Sequence, residues 1–356
     1  MSKLRAAAIS FAGGHPQAYS GGLADHFEVE LVAVAEVPGE NARCDLAEAF
    51  AEVHGVPHVE DYVEMLDSFQ PDVVSLCVPP ASNAEVIVAA AERGIHILSE
   101  KPVSDSLASA ERALAAVKAS GVCFSLDVPN ACFPRPLADA QDRARSGGIG
   151  KPRVAYCHCL QPKGPRYTYT IVDGEKVTAK YGELPNHGPY GFLAVSKALG
   201  QCLRSVFARR NAFFYEHYRD VGHEDMCVAT VTFGGGAVAN IVVGRTPTLS
   251  LPTTEFRLEI IGSAGSVYVD DAMGDKFKIW GPFNDGKDPF ERGGLAHQYY
   301  TPAHTELYIN DVVDAIITGR PPRITVDDAL DVIRFIDGCY RSAETGQPVF
   351  FGHGAW

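Results

Sequence analysis

Apolar residues in the first third of the chain fall in short continuous runs, and helix-length amphipathic segments separate them. Leu4 to Phe11, Val29 to Ala35, Asp72 to Val78, Gly94 to Leu98 and Val122 to Asp127 read as strands. Helices are predicted from the Pro16 turn to about His26, over Pro38 to His54, from an Asp61 cap through Leu66, over Asn83 to Arg93 and over Ser106 to Ala119. Gly94 and Gly121 stand where a left-handed residue closes a helix. Unbroken apolar strands alternating with helices mean a parallel sheet covered on both faces, a doubly wound α/β arrangement.

The pattern changes after Pro129. Phe133 to Arg145 is helical, Gly147-Gly148-Ile149-Gly150 is a break, and Arg153 to Leu160 alternates as a strand does. Residues 161–181, rich in Pro, Gly and Tyr, read as a loop, and a helix follows from Pro189 to Leu199. Strand-like runs then succeed one another at 203–214, 226–233, 237–243, 255–261 and 266–269, before helices at 303–318 and 327–344. Successive strands predict a C-terminal α/β domain with a large open, mostly antiparallel sheet, one face of it uncovered. The expected division is 1–128 and 129–356.

Composition narrows the function. A chain of 356 residues, 46% hydrophobic and 21% charged, suits two folded domains. A net charge of -13 argues against nucleic acid, because few cations are left to displace counterions from a phosphate backbone. No apolar run approaches the ~20 residues that cross a bilayer. Met1-Ser2-Lys3-Leu4-Arg5 runs straight into a strand, so no signal peptide is expected. Nine cysteines, odd in number and irregularly spaced, point to reduced thiols in a cytoplasmic protein. Cys157 and Cys159 should share one face of a strand with His158 on the other, without the spacing of a metal site. No metal is expected.

A dinucleotide needs a small-residue turn after the first strand and an acid after the second. The turn here is Ser10-Phe11-Ala12-Gly13-Gly14-His15, so the three glycine positions of the fingerprint hold Ser, Ala and His. Small residues still permit close approach, and Gly13 or Gly14 can supply an unusual backbone angle. Glu36, about 25 residues beyond the turn, is placed to hold the ribose hydroxyls and to repel a 2′-phosphate, which favours NAD over NADP. The third strand leaves through Val78, Pro79 and Pro80, where adenine and ribose pass. The fourth ends in Ser99-Glu100-Lys101-Pro102, at the sheet edge where such folds bind ligands.

Taken in order, these segments resemble a known family. The set is the loose nucleotide turn, Val34-Ala35-Glu36, the run Val73 to Pro80, Gly94 to Pro102, and Ser146 to Pro152. Leu258 to Ser266, Asp311 to Pro322 and Tyr340 to Ala343 continue the likeness through nearly the whole chain. It resembles the glucose–fructose oxidoreductase, inositol dehydrogenase and MocA (Gfo/Idh/MocA) oxidoreductases. The resemblance implies an N-terminal Rossmann domain and hydride transfer between NAD and a sugar, inositol or related polyol. It also implies a homodimer or homotetramer paired through the open sheet face. A catalytically silent NAD-binding regulator, and glycoside cleavage through transient oxidation, are the alternatives.

In that family the Glu-Lys-Pro lysine holds the hydroxyl beside the nicotinamide, with an Asp and a His four residues apart on a helix of the second domain. Lys101 matches; Asn186 stands at the acid position and Tyr190 at the histidine position. Either Tyr190, its pKa lowered by the Lys101 ammonium and the nicotinamide, or His187, one residue off register, accepts the proton. Otherwise neither does. The resemblance also places Asn83 near the nicotinamide amide, Glu100 beside the cofactor and Asn130 at the domain junction. Arg166, Tyr167 and Tyr169 are candidates to grip a polyol or carboxylate, with His304 and Glu306 as further cleft residues. Gly222-His223-Glu224 matches the first ligand segment of zinc alcohol dehydrogenases, but it follows the nucleotide domain and lacks the cysteine ligands, so that assignment is rejected.

Overall fold

A computed structural model describes residues 3–12, 15–39, 42–161, 169–172, 175–178, 182–247, 255–270, 276–280, 290–292 and 302–352. The chain forms two compact units, one of residues 1–129 with 300–333, the other of 130–299 with 334–356. The sequence reading had kept residues 300–333 with the second domain.

The first unit runs β1 (Leu4–Ile9), α1 (Pro16–Ala24), β2 (Val29–Ala35), α2 (Cys44–His54), β3 (His58–Val59) and α3 (Tyr62–Phe69). Then come β4 (Val73–Leu76), α4 (Pro80–Glu92), β5 (His96–Glu100), α5 (Leu107–Ser120) and β6 (Phe124–Asp127). Six parallel strands lie in the order β3-β2-β1-β4-β5-β6, so the winding reverses between β1 and β4. Every residue of β4 and β6 is buried, as covering on both faces requires. Two helix starts differ from the prediction. Helix α2 begins only at Cys44, because the Glu36 carboxylate accepts from the backbone N–H of Val37 and Arg43 (2.9 and 3.2 Å). Helix α4 begins at Pro80, whose missing N–H costs nothing in a first turn.

The second unit holds α6 (Arg135–Arg145), β7 (Pro152–Gln161), β8 (Tyr169–Val172), β9 (Glu175–Thr178), α7 (Glu183–Leu199), β10 (Leu203–Asn211) and α8 (Glu216–Asp220). It continues with β11 (Met226–Phe233), β12 (Val238–Arg245), β13 (Phe256–Gly262), β14 (Ser266–Asp270), β15 (Lys276–Trp280) and β16 (Phe290–Arg292). Helices α9 (Pro302–Thr318) and α10 (Val326–Thr345) and strand β17 (Val349–Phe350) end the chain. Nine strands are ordered β16-β15-β14-β13-β7-β12-β11-β10-β17, antiparallel throughout except for β12 beside β7. Cys157 and Cys159 are buried on one face of β7, with His158 on the other. The predicted loop at 161–181 contains the hairpin β8–β9. Asp173-Gly174 between two β-branched runs was the signal for it.

Residues 300–333 join the first unit through α9. Tyr308 packs edge-on to Tyr19 of α1 at 6.1 Å, Ile309 lies over Gly22, and Lys118 pairs with Asp327. These long-range contacts have no local sequence signature.

Candidate functional site

In the first unit, Ser10 leaves β1 in a left-handed conformation (φ 67°), the geometry a fingerprint glycine would take, and its Oγ accepts from the Ala12 N–H at 3.3 Å. The unusual angle therefore falls on the serine itself. Gly13 and Gly14 lie outside the described residues. Phe11 is buried against Phe50, ring centroids 5.0 Å apart, and anchors the turn to the α2 face. His15 precedes α1 without capping it through its side chain.

Glu36 is buried, and its carboxylate accepts from Phe11 N–H at 3.0 Å as well as from Val37 and Arg43. It thus ties the end of β2 to the nucleotide turn. The Arg43 guanidinium is held by Asp45 through bonds of 3.0 and 2.9 Å. Val78 is buried; Pro79 and Pro80 are half-buried at the start of α4.

The lysine turn is built from below. Asn83, fully buried on α4, donates Nδ2 to Ser99 Oγ (3.0 Å), Pro102 O (3.2 Å) and Glu100 O (3.4 Å). Asn83 therefore clamps the turn. Lys101 follows β5 directly, half-buried, with a cis bond to Pro102. His15 Nδ1 lies 3.2 Å from Glu100 Oε1. That contact brings the start of α1 to the residue beside Lys101.

Asp127 is in register with Glu100 on the neighbouring strand and is fully buried. Burial first, then the Glu100 charge, pushes its carboxyl well above the usual range, with the Tyr308 hydroxyl facing it. An acid raised in the fold is stabilising below its unfolded pKa, about 3.9, and that stability is lost as pH rises toward the folded value. Asp127→Asn should therefore gain stability relative to the parent as pH rises, measured by urea unfolding across pH. Parallel pH dependences for the two proteins would refute this.

In the second unit, α7 starts at Glu183, six residues before the predicted start at Pro189, which now lies inside the helix. The early start has a cause in the rejected zinc-like segment. Glu224 accepts from the Leu184 N–H through its carboxylate and from the Glu183 N–H through its carbonyl, both at 3.0 Å. Gly182 is required there, because a Cβ would sit 2.2 Å from that carboxylate. The same carboxylate takes bonds from Tyr340 (3.1 Å) and Arg210 (3.2 Å), yet burial still raises its pKa. Asp225 accepts from the N–H groups of Phe213, Phe214 and Tyr215, at 2.9, 2.7 and 2.9 Å.

On this anchored helix Asn186 is half-buried, while His187 and Tyr190 are buried. Glu183, missed in the sequence reading, is the hub. Its Oε1 accepts from Arg245 Nε (3.1 Å) and the Tyr218 hydroxyl. Its Oε2 accepts from Asn186 Nδ2 (3.0 Å) and lies 2.8 Å from His187 Nδ1. Burial alone would raise this carboxyl, but the hydrogen bond and charge of His187, the Arg245 charge and the Tyr218 bond hold it far below the usual range. An acid and a histidine four residues apart do occur on α7, three positions before Asn186 and Tyr190.

Among the other candidates, Asn130 sits half-buried in a single 3-10 turn. His304 on α9 is buried, which lowers its pKa, and Glu306 is exposed. Arg166 and Tyr167 lie outside the described residues; Tyr169 starts β8, and its side chain is likewise not described. Among the described residues no cluster of three metal-ligating side chains occurs, and no helix is long and apolar enough to cross a membrane.

Comparison with known proteins agrees with both halves of this architecture. Residues 17–128 match the NAD-binding Rossmann domain of the Gfo/Idh/MocA oxidoreductases, and residues 180–351 match their C-terminal alpha/beta domain. The chain belongs to this oxidoreductase family. It is 25% identical to the scyllo-inositol 2-dehydrogenase (NAD(+)) of Bacillus subtilis, over 89% of this chain and 90% of that one. It is 24% identical to the D-xylose 1-dehydrogenase (NADP(+)) 2 of Haloferax volcanii, over 85% and 88%. In fold it is similar to an oxidoreductase domain protein from Kribbella flavida (TM-score 0.80, 22% identity, 99% and 100% covered).

Proposed function

We propose that this chain is an NAD-dependent dehydrogenase acting on a secondary hydroxyl or keto group of a sugar, inositol or related polyol. The 3.2 Å contact between His15 and Glu100 carries the reading, since it joins the dinucleotide turn to the lysine turn. The residues fit the cofactor. Ser10, Phe11, Ala12 and His15 shape a turn at a helix N-terminus, where backbone N–H groups suit a pyrophosphate. Glu36, held at the end of β2 beside the turn by the N–H groups of Phe11, Val37 and Arg43, supports a contact to the ribose diol. Bound there, the nicotinamide supplies the hydride acceptor or donor. Lys101 orients the hydroxyl and steadies its developing negative charge; in the second unit, Asn186, His187 and Tyr190 are the candidate substrate side chains. Incubation of purified protein with NAD and a panel of sugars and cyclitols, followed by nicotinamide absorbance, tests this. Tight NAD binding without turnover would favour a silent regulator, and aglycone release without net NADH would favour transient oxidation.

The preference for NAD over NADP rests on Glu36, with Arg43 as its opponent. Arginine near this position accommodates a 2′-phosphate in NADP enzymes, but here Asp45 occupies the guanidinium. Glu36→Ala with Asp45→Ala removes the carboxylate that would repel a 2′-phosphate and releases the Arg43 guanidinium from its partner. The ratio of kcat/KM for NADP to that for NAD should rise about tenfold. An unchanged ratio would assign the preference elsewhere.

The open sheet face supports self-association. Phe207, Thr230, Asn240 and Tyr156 form one exposed cross-strand row over β10, β11, β12 and β7. Such a face on a paired second copy would be covered, so light scattering should report a dimer or tetramer.

A further inference from the structure

Asn83 is fully buried in the first turn of α4, where its backbone N–H donates to the Pro79 carbonyl at 3.0 Å. From this anchored position its amide nitrogen reaches the turn that ends β5. Nδ2 donates to the Glu100 carbonyl at 3.4 Å and to the Pro102 carbonyl at 3.2 Å, so it holds the carbonyls on either side of Lys101. It also meets Ser99 Oγ at 3.0 Å, the hydroxyl that itself donates to the Glu100 carbonyl at 3.2 Å. The surroundings dictate which way the amide faces. Turned over, Oδ1 would meet two carbonyl oxygens, which cannot donate. Oδ1 is instead buried without a hydrogen-bond partner among the described residues. A buried carbonyl left unpaired costs stability, and an apolar residue of the same shape would avoid that cost. What the amide adds at this position is its donor.

We propose that Asn83 is a positioning residue for the reaction: one nitrogen, by holding the carbonyls before and after Lys101, fixes the backbone from which the lysine side chain leaves. This rests on the dehydrogenase reading above, in which Lys101 orients the hydroxyl. Fully enclosed, Asn83 acts on the reaction through Lys101 and not by touching a polyol itself. The lysine stem is flexible, so the backbone that carries it has to be the fixed part. Misplacing a reacting group by about 1 Å can cost on the order of 100-fold in rate. A donor that holds the turn without reaching the chemistry therefore has a large effect on turnover and a small one on cofactor binding.

A double-variant cycle on polyol oxidation is the direct test. Asn83→Ala should lower kcat on the order of 100-fold, with the Kd for NAD unchanged. In a Lys101→Met background the same substitution should cost less than about threefold, because residues that act as a unit are not additive. Asn83→Leu keeps the shape without the donor, and should be as slow as Asn83→Ala although better packed; urea unfolding checks that both variants are folded. Equal losses in the two backgrounds, a loss carried by NAD binding, or full activity in Asn83→Leu overturns the assignment. If the parent oxidises no polyol with either dinucleotide, the dehydrogenase reading fails by itself. A crystal structure of Asn83→Leu then decides the clamp: the Pro102 carbonyl should turn away from α4, and an unmoved carbonyl shows that Asn83 does not hold the turn.

Discussion

Replacing Lys101 with methionine is expected to keep the fold and NAD binding while lowering turnover on the order of 10³-fold, about 4 kcal/mol of transition-state stabilisation. Methionine preserves most of the length and apolar stem of lysine but removes the charge. The turn has supports other than that charge. Asn83 clamps it through the carbonyls of Glu100 and Pro102 and the Ser99 hydroxyl, and Glu100 is held from the other side by His15. On the proposed reading structural loss should be small and catalytic loss large, because the ammonium would act on charge that develops only as the hydroxyl gives up its proton. Isothermal titration with NAD and steady-state rates separate the two effects. Turnover within about threefold of the parent, well short of the loss expected from removing such a group, would remove Lys101 from the chemistry.

The second large effect is on stability. Arg245→Met should destabilise the protein by about 3–5 kcal/mol, because it leaves the buried Glu183 charge without its guanidinium. Most of that loss should return in the double variant with Glu183→Gln, since the two groups act as a unit. The pH dependence has a definite sign. Glu183 has a lowered folded pKa, so its stabilising contribution is present above the unfolded value, about 4.3, and is lost as pH falls through the folded one. The deficit of Arg245→Met should accordingly shrink in acid. Urea midpoints for the four proteins at neutral and acidic pH give the full cycle, and additive losses would show that the pair is not coupled.

The outcome at α7 shows why part of the site was legible and part was not. Asn186, His187 and Tyr190 stand out in the sequence because Gly188 and Gly200 set the helix register there. Glu183 was passed over because its role depends on Arg245 and Tyr218, 62 and 35 residues away. The Gly222-His223-Glu224 segment attracted notice as a zinc motif. Its structural work is to start α7 at Glu183 and, through Asp225, to hold the 213–215 loop. Gly182 and Gly244 belong to the same corner: a Cβ on Gly244 would lie 2.2 Å from the Asp225 carbonyl, and its φ of 149° favours glycine.

The sequence alone determined the kinds of element and their alternation, because strand and helix periods are local and Gly94, Gly121 and Gly200 mark helix ends directly. It also determined the lysine turn, the acid after β2 and the family. Only the tertiary structure decided which buried charges meet. It moved residues 300–333 to the first unit through Tyr308 and Ile309, gave Asn83 to the lysine turn, and gathered Asn186, His187, Arg245 and Tyr218 around one carboxylate. The physical reason is range. Backbone preferences act over a few residues, whereas a buried charge must find its partners wherever folding brings them, since leaving it unpaired costs more than any local preference supplies.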